Sequence, residues 1–308
     1  MIVGKHRSER TPAMNRTGAG GGLLALTSLM TATIGAAFVW VAMTQPTAEA
    51  AEGDRRVLSL GGAVTEIVYA LGQGDRLVGR DTTSTWPSEA TDLPDVGYVR
   101  ALSPEGVLSV EPDLILAEDG AGPPEAVEVL RAANVDFVTV PGGFDGAAVA
   151  RKIEAVGAAL GVSPRAEELA ARIRADLSGA AAPPDEDAPR VLFVMSAAGG
   201  RMMAAGTETA ADGILRMAGA RNAITGFRGY KQVSDEAVAA AAPDAVLMMD
   251  RGGEHAISDE DLFASPALRT TPAARAGKVI RMDGLKLLGF GPRTVEAVTD
   301  LSAALHGE

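Results

Sequence analysis

The sequence predicts an α/β protein of two similar lobes, each built on a mainly parallel sheet, joined by a rigid helical linker. Three features predict it. Short apolar, β-branched runs alternate with segments of helical periodicity. One structural unit occurs twice, at a spacing of roughly 130 residues, too long for a solenoid repeat. A helical stretch separates the two copies.

Taken in order, Arg56 to Leu60 reads as a strand stopped by Gly61-Gly62. Ile67, Val68, Ala70 and Leu71 then fall at helical spacing, and Gly72 stands where a C-capping glycine is expected. Leu77 to Gly79, Asp113 to Leu116 and Asp136 to Val140 read as further strands. The repeat is exact at six positions. Ser103-Pro104-Glu105-Gly106-Val107 leads to Pro112-Asp113-Leu114-Ile115-Leu116, and Ser234-Asp235-Glu236-Ala237-Val238 leads to Pro243-Asp244-Ala245-Val246-Leu247. Each copy reads as a helix capped by Ser, with Glu near its positive end, followed by a Pro-Asp turn and a buried strand. Arg190 to Val194 precedes the second copy as Arg56 to Leu60 precedes the first. Between them, Gly146 to Leu160 and Pro164 to Leu177 carry apolar residues at helical spacing. The expected boundaries are 51–143 for the N-terminal lobe, 144–189 for the linking helices and linker, and 190–308 for the C-terminal lobe. The cleft between lobes is then the default ligand site.

Residues 1–50 read as a signal peptide. Lys5, Arg7, Arg10 and Arg16 precede an apolar stretch from Gly22 to Met43, and Ala48-Glu49-Ala50 is a small-x-small cleavage site. An uncleaved anchor is the alternative, since the apolar run is long enough to span a bilayer. The chain has no cysteine, which excludes a disulfide framework, a thiolate metal site and a lipidated cysteine. A periplasmic protein is expected. Removal of residues 1–50, with four basic and two acidic residues, leaves 24 Lys+Arg against 38 Asp+Glu, a net charge of −14. That balance argues against nucleic acid or anionic lipid as partner. No nucleophile elbow, phosphate loop or zinc-type His-Glu spacing is present, so no enzymatic activity is expected.

Tyr98 lies in Pro94-Asp95-Val96-Gly97-Tyr98-Val99-Arg100, an irregular segment between a strand and the Ser103 helix, where ligand-contacting loops sit in open α/β sheets. A phenolate is a hard anionic oxygen suited to ferric iron. A half-buried packing tyrosine fits the same residues. Tyr69 lies on the apolar face of the first helix and reads as core.

The segments Leu77 to Ser84, Pro94 to Arg100 and Gly229-Tyr230-Lys231 resemble the periplasmic haem-binding proteins of bacterial haem ABC importers, within the larger group that binds cobalamin and ferric siderophores. The resemblance covers nearly the whole chain from Arg56 onward. It implies the periplasmic binding protein fold of the helical-backbone type. It further implies capture of haem (hemin), with Tyr98 as axial ligand of the haem iron and delivery to an inner-membrane ABC permease. Arg100 can favour the phenolate or pair with a haem propionate. Tyr230 is expected in a loop facing the cleft from the second lobe, with Arg228 and Lys231 as propionate partners. Glu105 and Glu236 match the glutamates that dock the two lobes of such proteins onto a two-fold symmetric permease. His255 is a weaker ligand candidate, and His306 is expected to be disordered. Since Met195 to Met203 contains no histidine, one haem is expected; the protein is expected to be a monomer. A ferric siderophore or cobalamin binder is the alternative.

Overall fold

The computed structural model describes residues 55–181, 184–197, 201–250 and 257–307. The expected signal peptide and His255 lie outside these residues.

The first sheet has the order β2-β1-β3-β4, from β1 (Val57–Leu60), β2 (Leu77–Arg80), β3 (Leu114–Glu118) and β4 (Asp136–Val140), and all its pairings are parallel. The apolar runs of the central strands β1 and β3 are continuous because both of their faces are covered. In β3, Leu114 and Leu116 face one hydrophobic cluster while Ile115 and Ala117 face another, as the two-residue period requires. α1 (Gly62–Ala70), α2 (Pro104–Leu108) and α3 (Pro124–Ala132) connect these strands. Gly72, at φ +68°, closes α1: its amide donates to the Tyr69 carbonyl at 2.8 Å and the next amide to Val68 at 3.0 Å.

α4 (Gly146–Ala159) and α5 (Ser163–Ala180) follow and pack against each other. Their buried stripe, Val149, Ile153, Val156, Leu169 and Ile173, belongs to one hydrophobic core shared by both lobes. The rigid link is therefore part of the core rather than a tether beside it.

The second sheet has the order β10-β9-β5-β6-β8, with β7 (Arg221–Asn222) also paired to β5. β5 (Arg190–Ser196), β9 (Ala245–Asp250) and β10 (Val279–Asp283) run parallel, while β6 (Met202–Ala205) and β8 (Tyr230–Val233) are antiparallel additions. α6 (Ala210–Met217), α7 (Asp235–Ala241), α8 (Asp259–Ala264), α9 (Pro272–Ala276), α10 (Gly284–Leu288) and α11 (Thr294–His306) complete the chain. His306, expected to be disordered, is the last helical residue of α11. Met202 and Met248 are buried in the second lobe's own core.

The repeat has a physical basis. Ser103 and Ser234 cap α2 and α7 with their hydroxyls. Asp113 and Asp244 each accept the backbone amide of the arginine that opens the neighbouring strand, Arg56 at 2.8 Å and Arg190 at 2.9 Å. One side-chain interaction thus registers the central strand pair in both lobes.

The chain beyond the carboxyl ends of the first sheet meets the second lobe. Gly62, after β1, lies against Leu285, and Phe144, after β4, packs edge-on against Phe290 with ring centroids 5.5 Å apart. A Cβ at Gly213 of α6 would lie 2.3 Å from the Phe144 carbonyl oxygen, so this approach requires glycine.

Candidate functional site

The site begins with Asp81, which is fully buried at the end of β2. Its carboxylate accepts the Gly61 amide at 2.9 Å, the Thr83 hydroxyl at 2.8 Å and the Ser84 hydroxyl at 2.7 Å. Those bonds fix the turn after β2. Ser84 continues the network to Thr65 and Ser59 through hydroxyl contacts of 2.6 Å each.

The turn in turn holds the tyrosine loop. Arg80 Nη1 donates to Asp95 Oδ2 at 2.9 Å, and the Thr82 hydroxyl donates to Asp95 Oδ1 at 3.1 Å. The Thr82 amide donates to the Gly97 carbonyl at 3.0 Å. Gly97 has φ +102°, which reverses the chain and leaves Tyr98 47 % exposed. At that exposure the ring is half-buried. On the other side, the Val99 carbonyl accepts the Gly122 amide at 2.9 Å and the Leu102 amide donates to Gly122 at 2.8 Å. The two resembling segments, 77–84 and 94–100, are therefore one hydrogen-bonded unit that presents a fixed phenol.

Arg100 Nη1 donates to the Gly120 carbonyl at 2.8 Å. Its positive charge acts on two groups from opposite lobes. Burial pushes the Glu118 carboxyl up, opposed by the charges of Lys152 and Arg100. Burial also pushes the Tyr230 phenol up, against hydrogen bonds from the Ala211 backbone and the Thr209 side chain and the charge of Arg100. Arg100, at the end of the tyrosine loop, is thus anchored to the segment after β3.

Tyr230 differs from its expected setting. It opens β8 rather than lying in a loop, opposite Ala205 in the register. Its ring packs against Phe193 with centroids 6.2 Å apart, and its hydroxyl is taken up at the start of α6. Tyr230 is thus tied into its own lobe by packing and hydrogen bonding. Lys231, the next residue in the strand, points to the other face, its ammonium 5.5 Å from the Phe227 ring centroid. Lys231 is consequently not brought to the same face as Tyr230. Arg228 is exposed and pairs with Glu208 at 3.1 Å.

Three features of the site were not read from the sequence. Trp86 and Phe144, 46 % and 40 % exposed, lie on loops of the first lobe that also reach the second. Lys152 of α4 is only 2 % exposed and donates to the Gly289 carbonyl at 3.0 Å. Burial pushes its pKa down, against the negative charges of Glu118 and Glu66. A lysine within the apolar stripe Val149, Ile153, Val156 is the signal that could have found it. Glu66 pairs with Arg293 of the second lobe at 3.0 Å.

Glu105 and Glu236 are both exposed, each in the first turn of its Ser-capped helix. The Glu236 carboxyl is held below its ordinary range by its own backbone amide and the Ser234 hydroxyl.

Two α/β lobes share one helical core, and the first carries a half-exposed tyrosine on a hydrogen-bonded loop. The chain belongs to the periplasmic binding protein family, whose model matches residues 57–284. It is 44 % identical to the periplasmic heme-binding protein BhuT, solved in complex with two hemes, with a TM-score of 0.77 over 82 % of this chain and 98 % of that one. The uncharacterized ABC transporter substrate-binding lipoprotein YvrC of Bacillus subtilis is 28 % identical over 82 % of this chain and 80 % of that protein. The vitamin B12-binding protein of Vibrio parahaemolyticus is 26 % identical over 80 % of this chain and 87 % of that protein. The protein is a solute-binding component of an ABC transporter.

Proposed function

We propose that this protein captures ferric haem in the cleft between lobes 51–143 and 190–308, which residues 144–189 join, and delivers it to an inner-membrane ABC permease. The carrying observation is Tyr98: an exposed phenol on a loop that hydrogen bonds hold on both sides. Preorganisation of that kind suits a ligand that must find its metal without a folding cost. Tyr98 supplies the axial oxygen to iron. The N–H groups of Arg100 other than the one given to Gly120 serve a propionate. Tyr230 forms the opposing wall. Arg228 and Lys231 act at the rim, Arg228 by leaving its exposed pair with Glu208. One haem is bound by a monomer, exported through residues 1–50, and Glu105 and Glu236 meet the permease. Similarity to a heme-binding protein at 44 % identity supports the ligand class.

Cobalamin is the second reading, supported by the vitamin B12-binding relative. An absorption titration of residues 51–308 with hemin, beside Tyr98→Ala and a parallel cyanocobalamin titration, decides between them. A saturable one-to-one ferric spectrum lost in the variant supports haem and the ligand together. Haem binding unchanged in the variant overturns Tyr98 as ligand. Binding of cyanocobalamin alone overturns haem.

A further inference from the structure

We propose that Trp86, Arg293 and Glu66 form an interlobe clasp that fixes the width of the cleft and so restricts its cargo to a thin, planar ligand. The cargo half of this statement rests on the haem reading; the clasp does not.

Glu66, on α1 of the first lobe, is 5 % exposed. Its two carboxylate oxygens hold Arg293 of the second lobe at two points, accepting the backbone amide at 2.8 Å and Nε at 3.0 Å. A Cβ at Gly291 would lie 3.2 Å from Glu66 Oε1, so the segment ahead of α11 comes close to the carboxylate. Within its own lobe, Arg293 Nη1 lies 3.8 Å from Asp283. The guanidinium carbon sits 4.5 Å from the ring centroid of Trp86, which belongs to the first lobe. Arg293 Nη2 is buried with no hydrogen-bond partner. That guanidinium is gripped from two directions by one lobe and rooted in the other.

Trp86 follows the turn that Asp81 fixes, and that turn carries the Tyr98 loop through Arg80, Thr82 and Asp95. The position of Trp86 on Arg293 therefore sets how far Tyr98 stands from the second lobe. Removing a buried ion pair from water contributes little net stability, so its effect here is to select one geometry. On this proposal, a cleft held at one width admits a flat macrocycle. A corrin with bulky groups on both faces needs a wider opening.

Trp86 is the sole tryptophan of residues 51–308, the other being Trp40. Its emission thus reports the clasp directly, without ligand. In ligand-free protein, Arg293→Gln is expected to shift Trp86 emission to the red and increase its quenching by acrylamide. Arg293→Lys keeps the charge but not the planar fork and should show the same change in part. Trp86→Leu, at an exposed position, should raise hydrogen exchange of residues 284–296. Hemin binding should weaken about tenfold in Arg293→Gln, while the preference for hemin over cyanocobalamin narrows. Unchanged quenching in Arg293→Gln overturns the clasp, as does unchanged exchange in Trp86→Leu. Changed quenching with an unaltered preference overturns the selection of planar cargo. If the wild type binds neither ligand, the haem reading and the cargo half fall together, and the ligand-free emission still decides the clasp.

Discussion

Asp95 holds Gly97 by accepting its amide at 2.9 Å with the same carboxylate oxygen that accepts the Thr82 hydroxyl at 3.1 Å. The carboxylate therefore shapes the residue that turns Tyr98 outward. Asp95→Ala is expected to release the loop while costing less than about 1 kcal/mol of global stability, because the Arg80 pair is partly exposed. Hydrogen exchange of residues 94–100 should rise, and hemin affinity should fall about tenfold, near 1.4 kcal/mol. Equal exchange in variant and wild type would show that the Gly122 contacts alone hold the loop.

Much of this arrangement was legible in the sequence, and for physical reasons. The central strands β1 and β3 of the first sheet are covered on both faces, so they read as apolar runs. The repeat read as two lobes because its Ser and Asp residues each serve a local backbone need, a helix cap and a strand register. The irregular segment around Tyr98 was legible because Pro94 and Gly97 mark a turn, and Gly97 takes φ +102° there. Tyr230 was misplaced in a loop because β8 is a short edge strand whose Lys231 and Gln232 face solvent, which removes the alternating signal. The clasp was illegible because Glu66 and Arg293 are 227 residues apart, and no local pattern specifies such a pair.

Tyr69 and Tyr230 both have phenols whose pKa burial raises above the ordinary 10.0. A raised folded value means that each contribution to stability is complete below pH 10.0 and is lost as pH rises through the folded pKa. Tyr230→Phe should therefore lose less stability than wild type above pH 10.0, although it costs about 1 kcal/mol at neutral pH through the lost hydrogen bonds. Because Tyr230 is not assigned to iron, the hemin spectrum of this variant should keep its ferric ligand band. Chemical denaturation at pH 7 and at alkaline pH, with the spectrum recorded beside it, tests both statements; loss of the band would assign iron ligation to Tyr230.

Lys152 and Glu118 oppose each other inside the seam, where burial disfavours both charges. Lys152→Met alone leaves Glu118 without its largest favourable charge and the part-buried Gly289 carbonyl without its donor, and should cost about 1–3 kcal/mol. Adding Glu118→Gln should recover part of that loss, giving a coupling of about 0.5–3 kcal/mol in a double-mutant cycle. The pH dependence has a definite sign. Glu118 is raised above 4.5, so its contribution is complete below pH 4.5 and falls as pH rises through the folded value. Glu118→Gln should thus gain on wild type as pH increases from 4.5 toward neutrality. Additive effects of the two substitutions would show that the charges do not interact.

Glu105 and Glu236 can be separated from haem capture, since both lie on the exposed first turns of α2 and α7 and neither takes part in the cleft. The two helices are related by the internal repeat, so they offer like charges from like positions, a pattern suited to a two-fold symmetric partner. Glu236 in particular stays ionised at mildly acidic pH, its carboxyl being held low by its own amide and by Ser234. Charge of this kind governs association rate and orientation more than the fold. Glu105→Ala and Glu236→Ala, singly and together, should leave hemin affinity and melting temperature unchanged. Haem transfer into vesicles carrying the cognate permease should fall in each single variant and fall further in the double variant. The deficit relative to wild type should shrink as ionic strength rises, because screening removes the attraction that the glutamates supply. If the double variant transfers haem at the wild-type rate in low salt, the permease meets another surface, and the two glutamates serve only the dipoles of the helices they begin.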